Sequence, residues 1–388
     1  MDKDLKIGIF NECFPPVMDG VSVCAENYAY WLQKKIGDVG VITPNVPGTD
    51  YSNLDYEVLT YPSVPVPFRP PYKTGIADIQ PIYINKLLNR HFRLVHAHSP
   101  FSSGRAALRV AKGQNIPIVA TFHSKYRDDF IRVLKSGIVV DELIRNIIDF
   151  YQQVDEVWVP QASVKDVIYE YGFKGEVSVV DNGSDLVADY TESCFTDAKE
   201  KLGVDKNALV LLFVGQHIWE KGTRLIIDTL ERIKDLPFRM FFVGTGYAAD
   251  EMQRLIREKG LEDRTTFTGV LTDRESMKTY YAAADLFLFP SLYDNAPLVV
   301  REAAALHTPA VMVQGSTAAT ILKDDFNGFL IENSIDSFEQ KLRALESDRA
   351  RIAKVGLEAS RSIVRSWENV VDEVIERYRD LIRLKKMI

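Results

Sequence analysis

The sequence is poor in three features that would place it in a specialised class of protein. Its three cysteines, Cys13, Cys24 and Cys194, neither pair evenly nor stand at metal-ligand spacing, so we expect reduced thiols rather than a disulfide framework. It has no apolar run of about 18 residues, which argues against a transmembrane helix. Its formal net charge of -7 argues against general nucleic-acid binding, which requires a basic surface.

The beginning of the chain also lacks the pattern of a secretory signal peptide. A strand pattern, Leu5–Phe10, comes within the first few residues, with no apolar signal segment ahead of it. We therefore expect a cytoplasmic protein. The length of 388 residues is long for one hydrophobic core and predicts two domains.

Short apolar runs rich in Val, Ile and Phe alternate with helical patterns along nearly the whole chain. This alternation is typical of βα units and predicts an α/β fold with two doubly wound, Rossmann-like domains built on parallel sheets. The strands expected are Lys6–Phe10, Val39–Thr43, Tyr56–Tyr61, Leu94–His98, Ile118–Thr121, Glu156–Val159 and Val177–Val180, then Val210–Val214, Arg239–Val243, Thr265–Thr268, Leu286–Phe289, Ala310–Val313 and Gly328–Ile331.

A polar stretch without a strong period separates the two series of strands. We expect a first domain at 1–185, a linker at 186–206 and a second domain at 207–366. The last segment, 367–388, carries an apolar stripe at helical spacing and predicts one uninterrupted amphipathic helix.

The stretch Pro290–Ala303 has two carboxylates where ligands of such folds bind. Asp294 lies in the loop after the apolar strand, and Glu302 lies inside the helix that follows. Ligands of open parallel sheets bind beyond the carboxyl ends of the strands, and phosphates bind at the starts of helices. This stretch therefore predicts part of a ligand site.

Glycines follow several other strands. Gly20 follows the first strand, where it allows backbone N–H groups to approach an anion. Lys221 stands just ahead of a helix, where it either reaches a phosphate or remains a solvated lysine. Gly244 and Gly246 match the pattern G-x-G-x-x-A, but no acidic residue ends the next strand, which favours a tight turn facing a cleft over a nicotinamide site.

Three histidines, His96, His98 and His123, fall at or just beyond strand ends in the first half. No carboxylate or cysteine accompanies them at ligand spacing, so polar contact to a substrate is favoured over a metal site. Beyond them, Lys125–Lys135 mixes basic and apolar residues. This segment fits equally a helix packed on the sheet and a contact with an anionic membrane.

Taken together, these segments resemble the retaining glycosyltransferases of the GT-B fold, in particular family 4, over nearly the whole chain. The resemblance implies that the final helix crosses back to the N-terminal domain. The first loops also resemble members that glucosylate diacylglycerol or related carriers. The family resemblance rests on the segments FPPVMDG, HAHSPF, ATFHS, VVDNGSD, the run from FVG to EKG, FVGTG and DLFLFPSLYDNAPLVVREA.

The resemblance implies a role for individual residues, with the first domain on the acceptor side and the second binding the nucleotide sugar. His123 would stand beside the reacting carbon and Asp294 would contact the donor sugar; both are the expected catalytic residues. His98 and Lys125 would lie on the acceptor side. The positions implied in donor binding are Gly20 in a closing loop, Gln216, Lys221 on the diphosphate, Gly244, Gly246, Val270 near the base, Leu298 and Val299 near the phosphates, and Glu302 on the ribose.

Three positions depart from the pattern of that family. Gln216 stands where an arginine is usual, so one of two cations on the diphosphate is absent. If nothing replaces this charge-assisted contact, its loss costs about 1.5–3 kcal/mol of binding free energy. The neighbouring His217 is expected to point away from it. Asp294 replaces a glutamate, and Pro297 ends a run, Asn295–Pro297, that is usually Gly-Phe-Gly.

The resemblance implies transfer of a hexose from a UDP-linked donor to a hydroxyl acceptor with retention of configuration. The sequence has no Asp-x-Asp motif on a ligand-side loop, so we expect no metal and no cofactor. The expected partners are the nucleotide sugar, a lipid-linked or saccharide acceptor and, peripherally, a membrane surface, with no nucleic acid. Two alternatives stay open: a non-catalytic protein that binds a nucleotide sugar or a partner enzyme, and a nucleotide-sugar epimerase on the same fold.

Overall fold

The computed structural model describes residues 5–66, 72–188 and 190–387. Within it the chain divides into two units, each built on its own parallel sheet. The first unit ends at Asn182 and also includes the C-terminal helix from Trp367, whereas the second runs from Gly183 to Ser366.

The first unit contains a seven-stranded parallel sheet in the order β3-β2-β1-β6-β7-β8-β9. A two-stranded antiparallel hairpin, β4 with β5, stands apart from it. The strands are β1 (Ile7–Phe10), β2 (Val39–Pro44), β3 (Glu57–Tyr61), β4 (Ser63–Pro65), β5 (Lys73–Gly75), β6 (Leu94–Ala97), β7 (Ile118–Thr121), β8 (Glu156–Val159) and β9 (Val177–Val179). The helices before the second unit are α1 (Gly20–Ile36), α2 (Pro81–Leu88), α3 (Ser102–Gln114), α4 (Tyr126–Leu134), α5 (Gly137–Tyr151) and α6 (Val164–Glu170).

The second unit repeats this plan with six parallel strands in the order β12-β11-β10-β13-β14-β15. Its strands are β10 (Leu209–Val214), β11 (Phe238–Val243), β12 (Thr265–Gly269), β13 (Leu286–Leu288), β14 (Ala310–Val313) and β15 (Phe329–Ile331). Its helices are α7 (Glu192–Lys201), α8 (Thr223–Arg232), α9 (Ala249–Glu258), α10 (Arg274–Ala283), α11 (Leu298–Ala305), α12 (Ile335–Glu346) and α13 (Arg349–Ser362).

The central strands of both sheets are apolar on both faces. All six residues of β10 are buried, as are all four of β1 and of β14. Helices cover both faces of a doubly wound sheet, so its central strands are continuous apolar runs and do not alternate between apolar and polar residues. The α/β fold with two doubly wound domains is confirmed, and each expected strand occurs within one residue of its expected limits.

The final helix, α14 (Trp367–Met387), packs in the first unit, as predicted. Its Tyr378 ring stacks on Trp158 with centroids 5.7 Å apart, and its hydroxyl lies 2.6 Å from His96 Nδ1. Lys35 of α1 pairs with Asp372 at 2.8 Å. The apolar stripe of α14 therefore faces the N-terminal domain, and its charged face supplies ion pairs at the rim.

The segment expected as a linker, 186–206, differs from the prediction. It contains α7, which packs against α10 and belongs to the second unit. Ala198 is the one fully buried residue of α7, so the helix has almost no apolar stripe from which sequence could detect it. Helix α11 begins at Leu298, and Pro297 is its N-cap.

Among the described residues, no helix combines the length and the apolar character needed to cross a lipid bilayer.

Candidate functional site

An ion pair joins two of the predicted donor-side residues at the carboxyl edge of the second sheet. Lys221 Nζ donates to Asp294 Oδ1 at 2.7 Å, and Ser291 Oγ donates to Asp294 Oδ2 at 2.6 Å. Gly222 makes this approach possible, because a Cβ atom there would lie 2.5 Å from the carbonyl oxygen of Pro290. The positive φ of 74° at Gly222 also suits glycine.

The pair is largely but not completely enclosed. The side chain of Lys221 is 12% exposed and that of Asp294 is 16% exposed. A charged ligand can therefore reach the ammonium group from solvent, and it must compete with the carboxylate for that group.

Helix α11 begins four residues after Asp294. Leu298 is its first residue, and the N-cap Pro297 makes no side-chain cap. The first backbone N–H groups of a helix have no partner within it, and the helix dipole adds partial positive charge there. Leu298 and Val299 therefore present donors suited to an anion.

Glu302, on the second turn of α11, is held by two side chains. Arg274 Nη2 donates to its Oε1 at 3.2 Å, and Tyr281 Oη donates to its Oε2 at 2.7 Å. Arg274 also pairs with Asp185. Burial and the adjacent Glu302 carboxylate raise the pKa of Tyr281 well above its ordinary value, so its hydroxyl stays protonated and acts as a donor.

Gln216 and His217 point in opposite directions, as predicted. Gln216 is exposed, whereas His217 is 1% exposed and lies among the rings of Phe213, Phe242 and Phe267. Neither ring nitrogen of His217 has a hydrogen-bond partner, and burial lowers its pKa to about 4. His217 therefore carries no charge that could replace the missing arginine.

Gly244 and Gly246 bring two loops into backbone contact. A Cβ atom at Gly244 would overlap the carbonyl oxygen of Gly215, and one at Gly246 would overlap that of His217. His217 N donates to Thr245 O at 2.9 Å across the same contact. These glycines have a packing role that accounts for their spacing.

Two further predicted donor-side positions, Val270 and Gly20, lie in other parts of the chain. Val270 follows β12 and is 54% exposed. Gly20 is the exposed first residue of α1 in the first unit, just after Asp19, whose Oδ1 accepts from Ser22 N at 2.7 Å. Burial raises the pKa of Asp19.

In the first unit the structure brings His98 and His123 together. His98 Nδ1 and His123 Nε2 are 3.1 Å apart, and the two rings stack. His96 instead has a structural role, because its two nitrogens bond Tyr378 and Thr121. Lys125 immediately precedes α4 and is half-buried.

Burial lowers the pKa of His98 well below its ordinary value and that of His123 to about 3. Both imidazoles are therefore neutral near physiological pH, and each can donate and accept a hydrogen bond.

A thiol that sequence spacing did not connect with these histidines lies beside them. The Sγ atom of Cys24 and one ring nitrogen each of His98 and His123 lie within 4.8 Å of one another. The sequence likewise did not predict the roles of Arg274, Tyr281 and Asp185. Nothing in their local pattern marks these residues, because α1 and α10 bring them in from other parts of the chain.

Two family models together cover most of the chain. The model described as Glycosyltransferase Family 4 matches residues 18–187, and that described as Glycosyl transferases group 1 matches residues 195–361. The chain belongs to the family 4 glycosyltransferases. This family consists of enzymes, and the resemblance seen in the motifs is thereby confirmed.

Two curated relatives of this glycosyltransferase share one name. The alpha-monoglucosyldiacylglycerol synthase of Acholeplasma laidlawii is 26% identical over 342 residues, which cover 85% of each chain. The protein of that name from Streptococcus pneumoniae is 22% identical over 349 residues, which cover 88% of this chain and 78% of the relative.

Solved structures share the GT-B fold of this glycosyltransferase. The Anabaena protein HepE, solved with UDP and glucose, gives a TM-score of 0.78 at 17% identity and covers 96% of this chain and 99% of its own. Sucrose-phosphate synthase from Thermosynechococcus elongatus gives 0.81 at 18% identity and covers 98% and 100%.

Proposed function

We propose that this glycosyltransferase moves a hexose, glucose in the first instance, from UDP to a hydroxyl group of a diacylglycerol-type lipid, with retention at the anomeric carbon. The observation that carries the proposal is the grouping of Lys221, Asp294 and the start of α11 at one sheet edge. The lipid acceptor is supported by the names of the two relatives.

The nucleotide half of the donor would be bound by α11 and its neighbours. The carboxylate of Glu302 has oxygen lone pairs beyond those used by Arg274 and Tyr281, and these would accept hydrogen bonds from ribose hydroxyls. Since both partners orient the carboxylate before the ligand arrives, little entropy is lost on binding. Backbone groups near Val270, a residue that is 54% exposed, would contact the base.

The reaction develops negative charge on the departing diphosphate. Lys221 and the N–H groups at Leu298 and Val299 would stabilise that charge, which is electrostatic preorganisation. In the free protein Asp294 neutralises Lys221. The arriving diphosphate would take over the ammonium group and leave the Asp294 carboxylate to accept hydrogen bonds from the sugar.

His123 would meet the acceptor hydroxyl beside the reacting carbon. Its depressed pKa keeps the imidazole neutral, so it can accept a hydrogen bond from that hydroxyl or from the sugar. Its contact with His98 Nδ1 would hold the ring in orientation.

A lipid acceptor requires access to a membrane surface, and α4 and α5 offer one. Ile131, Leu134, Ile138 and Val139 are all exposed there, with Ile138 83% exposed. Basic side chains of the same segment, Lys125–Lys135, would contact anionic headgroups. We expect sedimentation with anionic vesicles, weakened by Ile138→Glu but not by Leu357→Glu on α13; equal loss in both variants would contradict this surface.

The central experiment incubates the purified protein with UDP-sugars and GDP-sugars, with and without diacylglycerol. We expect lipid-dependent release of UDP and an α-linked glucolipid product. Activity should persist in EDTA, because the charge on the diphosphate is handled by protein groups. A thermal shift with UDP but no turnover of any donor would favour a non-catalytic binding protein, and interconversion of free nucleotide sugars would favour an epimerase.

A further inference from the structure

Cys24 is a buried thiol that the proposed transfer does not use. It lies on the second turn of α1 and is 1% exposed. Its Sγ atom lies 3.6 Å from Asn182 Oδ1, and the His98 and His123 side chains complete its polar surroundings.

We propose that Cys24, His98 and His123 form a binding site for a borderline transition-metal ion such as Zn²⁺. One thiol sulfur and one nitrogen of each imidazole supply three ligands, a set typical of zinc sites that keep a fourth position open. Sulfur and nitrogen ligands select Zn²⁺, Co²⁺ or copper, whereas Mg²⁺ and Ca²⁺ require oxygen.

The distances are close to those that a tetrahedral ion requires. Metal–ligand bonds of about 2.0–2.3 Å place ligand atoms about 3.5 Å apart. The nitrogens of His98 and His123 are already 3.1 Å apart, and all three ligand atoms lie within 4.8 Å. A contraction of at most about 1.3 Å is therefore enough, and rotation of the short Cys24 side chain about its single bond can supply part of it.

The ligand nitrogen of His98 is Nδ1, which faces His123 Nε2 at 3.1 Å. On binding, the ion replaces the hydrogen bond between these two nitrogens, and the proton of that bond moves to the other nitrogen of its ring. His98 itself is 1% exposed, so its orientation is fixed by the packing around it.

Neighbouring rings fix the orientation of the ligands, and the exposed side of His123 gives the ion access. The His96 ring packs 4.2 Å from that of His98, and the Tyr28 ring packs 5.1 Å from it on another side. Such packing orients metal ligands before the ion arrives. His123 is half-buried, so an ion can enter from its side and retain one coordination position for water or an anion.

The consequence for catalysis is inhibition, and this part rests on the proposed function. An ion bound to His123 Nε2 would replace the contact with His98 Nδ1 that orients the His123 ring towards the acceptor. Zn²⁺ would therefore inhibit transfer, while EDTA would leave the ion-free enzyme active and restore the inhibited one. On binding, Cys24 releases its thiol proton to solvent.

Titration of the EDTA-treated protein with Co²⁺ tests the site without any transferase assay. We expect visible absorption of tetrahedral Co²⁺ and a near-ultraviolet thiolate-to-cobalt band, with one ion bound per chain and displacement by Zn²⁺. Cys24→Ser should abolish the thiolate band and weaken Zn²⁺ binding by more than the roughly 10–100-fold that loss of an outer-shell partner costs. Cys194→Ser, a thiol of the second unit, is the matched control and should change neither.

The proposal would be overturned if no thiolate band forms, if the band survives in Cys24→Ser, or if it disappears in Cys194→Ser. His123→Ala, at a half-buried position, should weaken binding similarly, and an unchanged affinity would also overturn it. Far-ultraviolet circular dichroism of each variant checks that the fold is retained. Metal binding without any transfer activity would refute the proposed function and leave the metal site standing.

Discussion

Replacement of Lys221 by alanine isolates the electrostatic contribution to the proposed reaction. Its ammonium group lies 2.7 Å from Asp294 and is 12% exposed, so it acts in a partly desolvated setting. Removal of one preorganised donor from a developing anion typically lowers kcat by about 100–1000-fold. We expect Lys221→Ala to lower kcat/KM for the UDP-sugar by a factor in that range.

The same substitution should lower stability only moderately. Asp294 keeps its hydrogen bond from Ser291 at 2.6 Å, and its side chain is 16% exposed, so water can partly hydrate the carboxylate. We expect the free energy of unfolding to fall by about 1–3 kcal/mol, because the largely enclosed carboxylate loses its charged partner. A large loss of activity in a variant that remains folded at the assay temperature separates a role in transition-state binding from a role in folding.

The assay follows initial rates of glucolipid formation in mixed micelles and UDP affinity by calorimetry. Lys221→Arg, which keeps the charge, should recover part of the rate, and Lys201→Ala on α7 is a matched surface control. If Lys221→Ala keeps kcat/KM within about threefold of the parent, corresponding to less than about 0.7 kcal/mol, the electrostatic reasoning is refuted.

Two further predictions concern the same unit. Glu302→Ala should chiefly weaken UDP binding, whereas Asp294→Ala should chiefly lower kcat, and full activity in both variants would place the site elsewhere. His217 has a pKa of about 4 in the folded state and about 6.5 when unfolded, so the unfolded chain binds more protons between these values and stability falls as the pH falls through this window. Denaturant titrations should show a slope of up to about 1.4 kcal/mol per pH unit that His217→Phe reduces, and an unchanged slope would show that His217 is protonated when folded.

Local patterns predicted the strands well because a buried strand is a run of consecutive apolar residues, which the sequence shows directly. In β10, six consecutive apolar residues are all buried, and a parallel sheet covered by helices requires this of its central strands. The ends of these strands then located the loops that bear Asp294, His98 and His123, since parallel strands end at one edge of a sheet.

Other features had no local signal. Helix α7 buries little besides Ala198, so its packing on α10 leaves no periodic apolar stripe in the sequence. The hairpin of β4 and β5 consists of two three-residue strands. It lies in and just after a proline-rich segment, 61–71, of which residues 67–71 lie outside the described residues.

The sequence by itself determined the architecture and the family, and it predicted the donor-side residues that we propose, because hydrophobic periodicity and short motifs are properties of neighbouring residues. Only the tertiary structure decided which side chains meet. It paired Lys221 with Asp294, held Glu302 between Arg274 and Tyr281, and placed Cys24 of α1 beside His98 and His123. Contacts of this kind join residues that are tens of positions apart in the chain, so they depend on how helices pack against a sheet rather than on any spacing in the sequence.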